Sequence, residues 1–322
     1  MKTKILGRTG LEVTVVGLGT AFLGMPPYDA TAVTYEDRTK RIDEDLGVAT
    51  VHAALEAGCT LIDTAALYGG TRAEAMIGRA LKERPDLAAK CTVTTKAGRL
   101  VEGQDYSFEA IVHSVNASLE RLGLDRFEVV FIHDQMDMPM EQIMGKDGAL
   151  GALRKLQADG LVGHIGTAAN DPEANAPYIE TGEFDAAVIA DAWSLLNQTA
   201  ARRILPAAAK HNVGIVTATP LERGLLATGP IAGSAYFDRT FSPACLNHVA
   251  KIQQLCRDYE VPLVAVALQW CSRHPQIATT IPGAQNPPEA IENAQAASVE
   301  IPDAFWNDLE PLVQHWDQGV HR

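Results

Sequence analysis

Eight short apolar runs, rich in β-branched residues, recur along the sequence: VTVVG (13–17), TLID (60–63), CTVTT (91–95), EVVFI (128–132), GHIGT (163–167), AAVIA (186–190), VGIVT (213–217) and IATTI (277–281). Most lack strict polar/apolar alternation, as strands covered on both faces do. Helical patterns lie between them. Ile111, Val115, Leu119 and Leu122 recur at helical spacing and stop at Gly123, Leu150, Leu153 and Leu156 share one face that stops at Gly160, and residues 45–57 stop at Gly58. Strand and helix in alternation imply βαβ units with right-handed crossovers. Eight such units in 322 residues fit a closed (β/α)8 TIM barrel better than a doubly wound open sheet, although periodicity alone does not separate the two.

No internal repeat or biased segment divides the chain, so residues 1–322 read as one barrel domain. The opening KILGRTGLEV places the turn pair Thr9-Gly10 between two β-prone runs and predicts an N-terminal β-hairpin. Two connections, 18–44 and 218–276, exceed what a plain barrel arch needs. They predict long loops after strands 1 and 7 that close over a ligand.

The net charge of −13 excludes a global positive field for gripping nucleic acid and disfavours an acidic membrane surface, leaving only a local basic site open. No apolar stretch reaches the ~18 residues of a membrane helix, and the N-terminus has no secretion pattern. Cys59, Cys91, Cys245, Cys256 and Cys271 show no CxxC or zinc spacing. They read as reduced thiols of a cytoplasmic protein without a metal site.

Three polar residues follow strand-like runs directly: Asp63 after TLI, Lys96 after TVTT and His133 after VVFI. Tyr68 begins the loop after Asp63. Each alone has an ordinary reading: a helix-capping Asp, a solvated Lys, a hydrogen-bonded core His. In a barrel all four converge on one mouth, because strand C-terminal ends share it. Together they suit proton transfer at a carbonyl or alcohol oxygen. A phenol is a poor base at neutral pH, but a nearby ammonium lowers its pKa, an Asp keeps that ammonium charged, and a neutral His orients the substrate oxygen. Such a group carries no hydride, so a nicotinamide cofactor is implied.

LGRTGLEVTVVGLGT, IDTAALYG, TTKAG, VVFIHD, LQADGLVGHIGTAAND, TPLERGLL and IPGAQNPPEAIENAQA together resemble, in order and spacing, the aldo-keto reductase family, over essentially the whole chain. The branch most similar is that of the sugar 1-dehydrogenases (D-threo-aldose or L-fucose type, with pyridoxal 4-dehydrogenase nearby). The resemblance implies a catalytic tetrad of Asp63, Tyr68, Lys96 and His133, with Tyr68 as general acid in reduction or general base in oxidation. It also implies cofactor contacts from Gly19 and Thr20, Asn170, Leu221 and Gly224, and, at the adenosine end, Gly283, Gln285, Glu292 and Asn293.

Some positions depart from the family pattern. Ala168 and Ala169 replace the Ser-Asn that holds the nicotinamide carboxamide in many members, which leaves Asn170 for that contact, or as a helix cap before Asp171-Pro172. Ala218 stands where an aromatic residue often stacks on the nicotinamide. Trp193 lines the cofactor face or belongs to the core. No basic residue follows the last strand, where NADP users pair with the 2′-phosphate, so NAD is favoured over NADP; Arg223 is the side chain that could reach over. Met136, Trp193 and Tyr236 are substrate-wall candidates, with Phe237, Phe241 and the 25–40 loop beside them. The expected activity is NAD-dependent oxidation of a sugar hemiacetal to a lactone. The alternatives are an NADPH-dependent aldehyde or ketone reductase, a pyridoxal 4-dehydrogenase-like enzyme, and a cofactor-sensing partner subunit with little turnover. The expected partner is a small molecule, a sugar or aldehyde, with neither nucleic acid nor membrane.

Overall fold

In the computed structural model, which describes residues 1–27, 34–100, 102–232, 236, 239–316 and the backbone of 319–320, the β-branched runs become barrel strands. β1 (Thr3–Ile5) and β2 (Glu12–Thr14) form the antiparallel N-terminal hairpin. β3 (Leu18–Gly19), β4 (Leu61–Asp63) and β5 (Thr92–Ala97) follow. A small hairpin of β6 (Arg99–Leu100) and β7 (Gly103–Gln104) leaves the end of β5. Then come β8 (Phe127–His133), β9 (Val162–Ala169), β10 (Ala186–Ile189) and β11 (Gly214–Ala218). β12 (Arg239–Thr240) lies outside the barrel and pairs with β14 (Gly319–Val320); β13 (Ile277–Ile281) is the last barrel strand.

The main sheet runs β13-β11-β10-β9-β8-β5-β4-β3, every pair parallel. Parallel bridges Val16↔Thr280 and Gly19↔Gly283 join its two edges and close the barrel. Closure is tight: a Cβ on Gly19 would stand 2.6 Å from the Ile281 carbonyl oxygen, so this position has no room for a side chain.

Helices lie on the outside. α1 (Tyr35–Thr39) and α2 (Glu44–Glu56) follow β3, and α3 (Arg72–Glu83) and α4 (Pro85–Ala88) follow β4. α5 (Phe108–Leu122) ends at Gly123, as its spacing predicts. α6 (Met140–Met144) and α7 (Ala149–Ala158) follow β8, α8 (Pro172–Glu180) follows β9, and α9 (Ile204–His211) follows β10. α10 (Leu225–Thr228), α11 (Pro243–Asp258) and α12 (Leu263–Arg273) occupy the long connection after β11. α13 (Pro287–Ala296) and α14 (Asp303–Leu309) complete the chain's helices in the described residues. No helix there is long and apolar enough to cross a membrane.

One run divides differently from its pattern. Residues 13–17 are not a single barrel strand: the first part pairs with β1, and the barrel's first strand is only Leu18–Gly19. Both are extended chain, and apolarity alone does not say which partner each takes. Leu6 and Val13, fully buried, reach the cluster inside the barrel, so the hairpin plugs its floor.

Strand parity sets what lines that interior. Leu61, Val129 and Phe131 belong to the inner cluster, while Ile62, Val93, Val130 and Ile132 pack outward against the helices. Side chains alternate between faces with period two. Asp63 therefore shares the inner face with Leu61, and His133 shares it with Phe131. Thr95 confirms the opposite parity for β5: its hydroxyl reaches Glu74 on α3 at 2.7 Å, so Thr94 and Lys96 point inward.

Candidate active site

Inward parity at the ends of three strands places Asp63, Lys96 and His133 in one mouth, with exposures of only 2%, 2% and 5%. Lys96 Nζ is bonded to Asp63 Oδ1 and donates to the Thr64 carbonyl at 2.9 Å and towards the Tyr68 hydroxyl at 3.2 Å. The second Asp63 oxygen accepts from Thr94 Oγ1 at 3.0 Å, and Thr20 Oγ1 donates to the Asp63 carbonyl at 2.8 Å. The carboxylate is thus held on both oxygens and its backbone is pinned from β3.

Tyr68 enters from the turn after β4. Its N–H bonds to the Ala65 carbonyl at 3.0 Å, and Gly69 and Gly70 then take φ of +60° and +63° to swing the chain into α3. The positive φ at Gly69 is what the turn demands of glycine; a Cβ there would crowd only the end of the Ile42 side chain, at 2.9 Å. Tyr35, on α1, donates its hydroxyl to the Ala21 carbonyl at 3.0 Å and accepts the Gly69 N–H at 2.9 Å, which ties the loop after β3 to the turn carrying Tyr68. The His133 ring stands edge-on to Tyr68, with centroids 5.8 Å apart.

Burial dominates the electrostatics. It pushes the Tyr68 phenol above its usual pKa; Lys96 pulls the other way but does not win, so the phenol is protonated at neutral pH rather than lowered as the neighbouring ammonium alone suggests. For Lys96 burial acts to lower the pKa, but Asp63 and Tyr68 outweigh it and keep the amine charged. His133 is held well below its usual range, first by burial and then by Lys96 and Arg99, and is neutral. Its Nδ1 is buried without a hydrogen-bond partner.

A second ring of polar residues was not assigned from sequence. Asp134 accepts from Arg99 Nη1, from the Asn170 backbone N–H at 3.1 Å and from Asn170 Nδ2 at 3.2 Å. The Tyr106 hydroxyl lies 2.6 and 2.8 Å from the carbonyls of His133 and Asp134. Gln135 Nε2 donates to Thr167 Oγ1 at 2.7 Å. The visible signals were an acid directly after the strand-end His and a base three residues past Lys96.

The remaining candidates fall into two groups. Gly19 bridges Gly283 at the rim, and Asn293 Nδ2 donates to the Gly283 carbonyl at 3.3 Å, with Gln285 beginning the turn into α13 and Glu292 exposed on that helix. Asn170 is exposed at the end of β9; Asp171, not Asn170, caps α8. Leu221 and Gly224 lie in the turn after β11, where Arg223 is ion-paired with Asp191 at 3.2 Å. Met136 is half-buried just past His133, whereas Met138 and Met140 pack against the core.

Trp193 and Tyr236 both pack against neighbouring aromatic rings. The Trp193 ring stacks on Trp270 at 4.9 Å and its indole N–H donates to the Cys271 carbonyl at 3.3 Å. Tyr236 packs edge-on to Phe241 at 5.2 Å in a cluster with Leu225 and Leu226. Both are only 9% exposed, because each satisfies its apolar surface against the helix layer. Phe237 and part of the 25–40 loop lie outside the described residues.

A closed barrel with a Tyr–Lys–Asp–His cluster at its C-terminal mouth defines an NAD(P)-dependent oxidoreductase acting on CH–OH or C=O groups, and the chain belongs to the aldo/keto reductase family, whose sequence model matches residues 30–314. It is 28% identical to pyridoxal 4-dehydrogenase of Microbacterium luteolum, over 95% of this chain and 96% of that one. It is also 28% identical to D-threo-aldose 1-dehydrogenase of a Pseudomonas species, over 93% and 94% of the two chains. The fold matches the holo form of an aldo-keto reductase from Bacillus halodurans with a TM-score of 0.77 and 23% identity, covering 98% of this chain and 97% of that one.

Proposed function

We propose that the chain is a single-domain, NAD-dependent dehydrogenase that oxidises a sugar hemiacetal at its anomeric carbon to a lactone. The observation that carries this reading is Lys96 held between Asp63 and the Tyr68 hydroxyl, 3.2 Å away, at the C-terminal mouth of the barrel. Two relatives of near-full length are named as dehydrogenases, one of them acting on an aldose.

The residues at the rim fit a dinucleotide. Asn170 offers an exposed amide for the carboxamide, and Gly19, Thr20, Leu221, Gly224, Gly283 and Gln285 supply the surrounding backbone and side chains. Glu292 is an exposed carboxylate suited to ribose hydroxyls, and Asn293 braces the rim from beneath. Residues 283–300 contain no Lys or Arg. Arg223, the cation within reach, is paired with Asp191. This donor set suits NAD better than NADP, whose 2′-phosphate calls for a cationic partner.

The bound nicotinamide supplies the hydride acceptor. The protein supplies the rest: His133, neutral, donates to or accepts from the anomeric oxygen and fixes its direction. Tyr68 takes the hydroxyl proton as the C1–O bond becomes a carbonyl. Lys96 stabilises the phenolate that this requires, and Asp63 keeps Lys96 charged and aimed. Met136, half-buried beside His133, provides an adaptable apolar wall. All five cysteines are free thiols, which suits the reducing cytoplasm.

A reductase reading has one observation in its favour: the phenol raised by burial is a ready proton donor to a carbonyl. Assaying NAD and NADP with a panel of aldoses and pyridoxal, and NADH and NADPH with aldehydes, separates the two. Aldose oxidation with NAD is expected; turnover restricted to NADPH and aldehydes would overturn the dehydrogenase reading.

A further inference from the structure

Asp134 follows His133 and holds φ at +50°, a left-handed conformation that few non-glycine residues keep unless their surroundings secure it. Its surroundings do so. The backbone N–H donates to the Ala168 carbonyl at 2.7 Å, and the Tyr106 hydroxyl caps the carbonyl at 2.8 Å. The carboxylate, 2% exposed, accepts from Arg99 Nη1 and Asn170 Nδ2 on Oδ2 and from the Asn170 backbone N–H on Oδ1, with His133 Nε2 3.8 Å from Oδ2. Burial raises the Asp134 pKa, opposed first by Arg99 and then by the Asn170 N–H, and the carboxylate so held grips Asn170 twice, by its main chain and by its side chain.

This grip has a chemical consequence for Asn170. An exposed asparagine amide is free to turn over and present either its N–H2 or its oxygen. Beside an ionised carboxylate only one orientation is tolerated, because turning the amide over would set its oxygen against Oδ2. The N–H2 group is thus committed to Asp134, and Oδ1 is the amide atom left for another partner.

We propose that Asp134 is a positioning residue that locks the Asn170 amide with its oxygen left to accept from a ligand, so that the mouth selects a pyridine ring bearing an N–H-donating carboxamide and rejects the same ring bearing a carboxylate. This rests on the reading that Asn170 meets the carboxamide of a nicotinamide dinucleotide. That oxygen accepts from the carboxamide N–H2, whereas it repels a carboxylate, which has nothing to donate. Specificity then comes from a repulsive element as well as an attractive one.

The test is calorimetric titration of the full-length protein with NAD and with nicotinic acid adenine dinucleotide, which differ only in that group. The wild-type protein is expected to bind NAD more tightly by at least tenfold, on the order of one misplaced charged contact. In Asp134→Asn the new amide can accept or donate, Asn170 is released to turn, and the ratio is expected to collapse towards one. Asn170→Ala, at an exposed position that leaves Asp134 intact, should collapse it as well and serves on its own if the first variant does not fold. A purely structural Asp134 would weaken both dinucleotides equally and preserve the ratio, and that result overturns the proposal. So does a wild-type protein that binds both dinucleotides alike, or an Asn170→Ala variant that keeps the preference. If the wild-type protein binds neither, the dinucleotide reading fails beneath it.

Discussion

Lys96 Nζ stands 3.2 Å from the Tyr68 hydroxyl and 4.7 Å from the centre of the Tyr68 ring. It therefore touches the phenol both at the atom that exchanges a proton and across the π face, where a cation is also attracted. Removing the hydroxyl alone leaves that packing intact. Tyr68→Phe is accordingly expected to cut kcat by on the order of 10²–10⁴-fold, the range of a lost general acid or base, while cofactor affinity changes little. Steady-state kinetics paired with cofactor titration reads both. An active Phe variant would return Tyr68 to the role of a turn residue.

Burial raises the Tyr68 pKa, and that direction fixes a pH dependence for each direction of turnover. Oxidation needs the phenolate, a minor form at neutral pH whose share grows about tenfold per pH unit below the pKa. kcat/KM for oxidation should climb with pH from 7 to 9, whereas reduction, which uses the protonated phenol, should stay flat over the same interval. His133 is neutral throughout that interval, so no step near its ordinary pKa of 6.5 is expected in either profile. A level oxidation profile would mean that some other group takes the proton.

Asp63 and Lys96 form a buried ion pair with both side chains at or below 3% exposure. Removing one partner strands the other's charge, at a cost of about 3–5 kcal/mol. Lys96→Met and Asp63→Asn should each lose stability of that order in urea denaturation. The double variant should lose clearly less than the sum, because the stranded charge is gone in both places. Additive losses would show that the pair contributes no coupling. Lys96→Met and the double variant should be inactive, since both leave the phenolate without its cation, and Asp63→Asn should lose activity because Lys96 is no longer held charged and aimed.

The barrel was legible because eight buried strands cannot avoid a rhythm of β-branched runs, and strand parity then carried Asp63, Lys96 and His133 to one face. Tyr68 was legible because the glycine pair after it marks a turn. Legibility failed where contacts, not patterns, decide. Residues 13–17 read as one strand because extended chain looks the same in a hairpin and in a barrel. Trp193 and Tyr236 sit near the mouth in sequence, yet an aromatic ring after a strand can turn to the helix layer, and both do. Nothing in the run HDQM distinguishes a solvated Asp134 from one gripped by Arg99 and Asn170, because those partners lie 35 and 36 positions away in the chain. The net direction of the Tyr68 pKa is not legible for a related reason: the motif shows the ammonium, which does pull the pKa down, but not how far water is excluded.

Glu222 lies in the turn after β11 with 1% exposure, accepting from Ser194 Oγ while its Oε2 is buried without a partner. Burial pushes its pKa from 4.5 up to about 7; the Ser194 hydrogen bond opposes this, Asp191 adds to the rise, and Arg239 and Arg223 lower it. In the unfolded chain the carboxyl ionises near 4.5, so between that value and 7 the folded form holds a proton that the unfolded form has released. Stability from this group is therefore complete below pH 4.5, is lost as pH rises towards 7 and changes no further above it. A gap of this size corresponds to about 3 kcal/mol. Glu222→Gln keeps an acceptor for Ser194 and has no proton to lose. It should match the wild-type stability near pH 4 and exceed it by up to about 3 kcal/mol at pH 8, with urea midpoints across that range as the measurement. Parallel pH profiles for the two proteins would show that Glu222 is already ionised in the fold, and that Arg223 and Arg239 outweigh its burial.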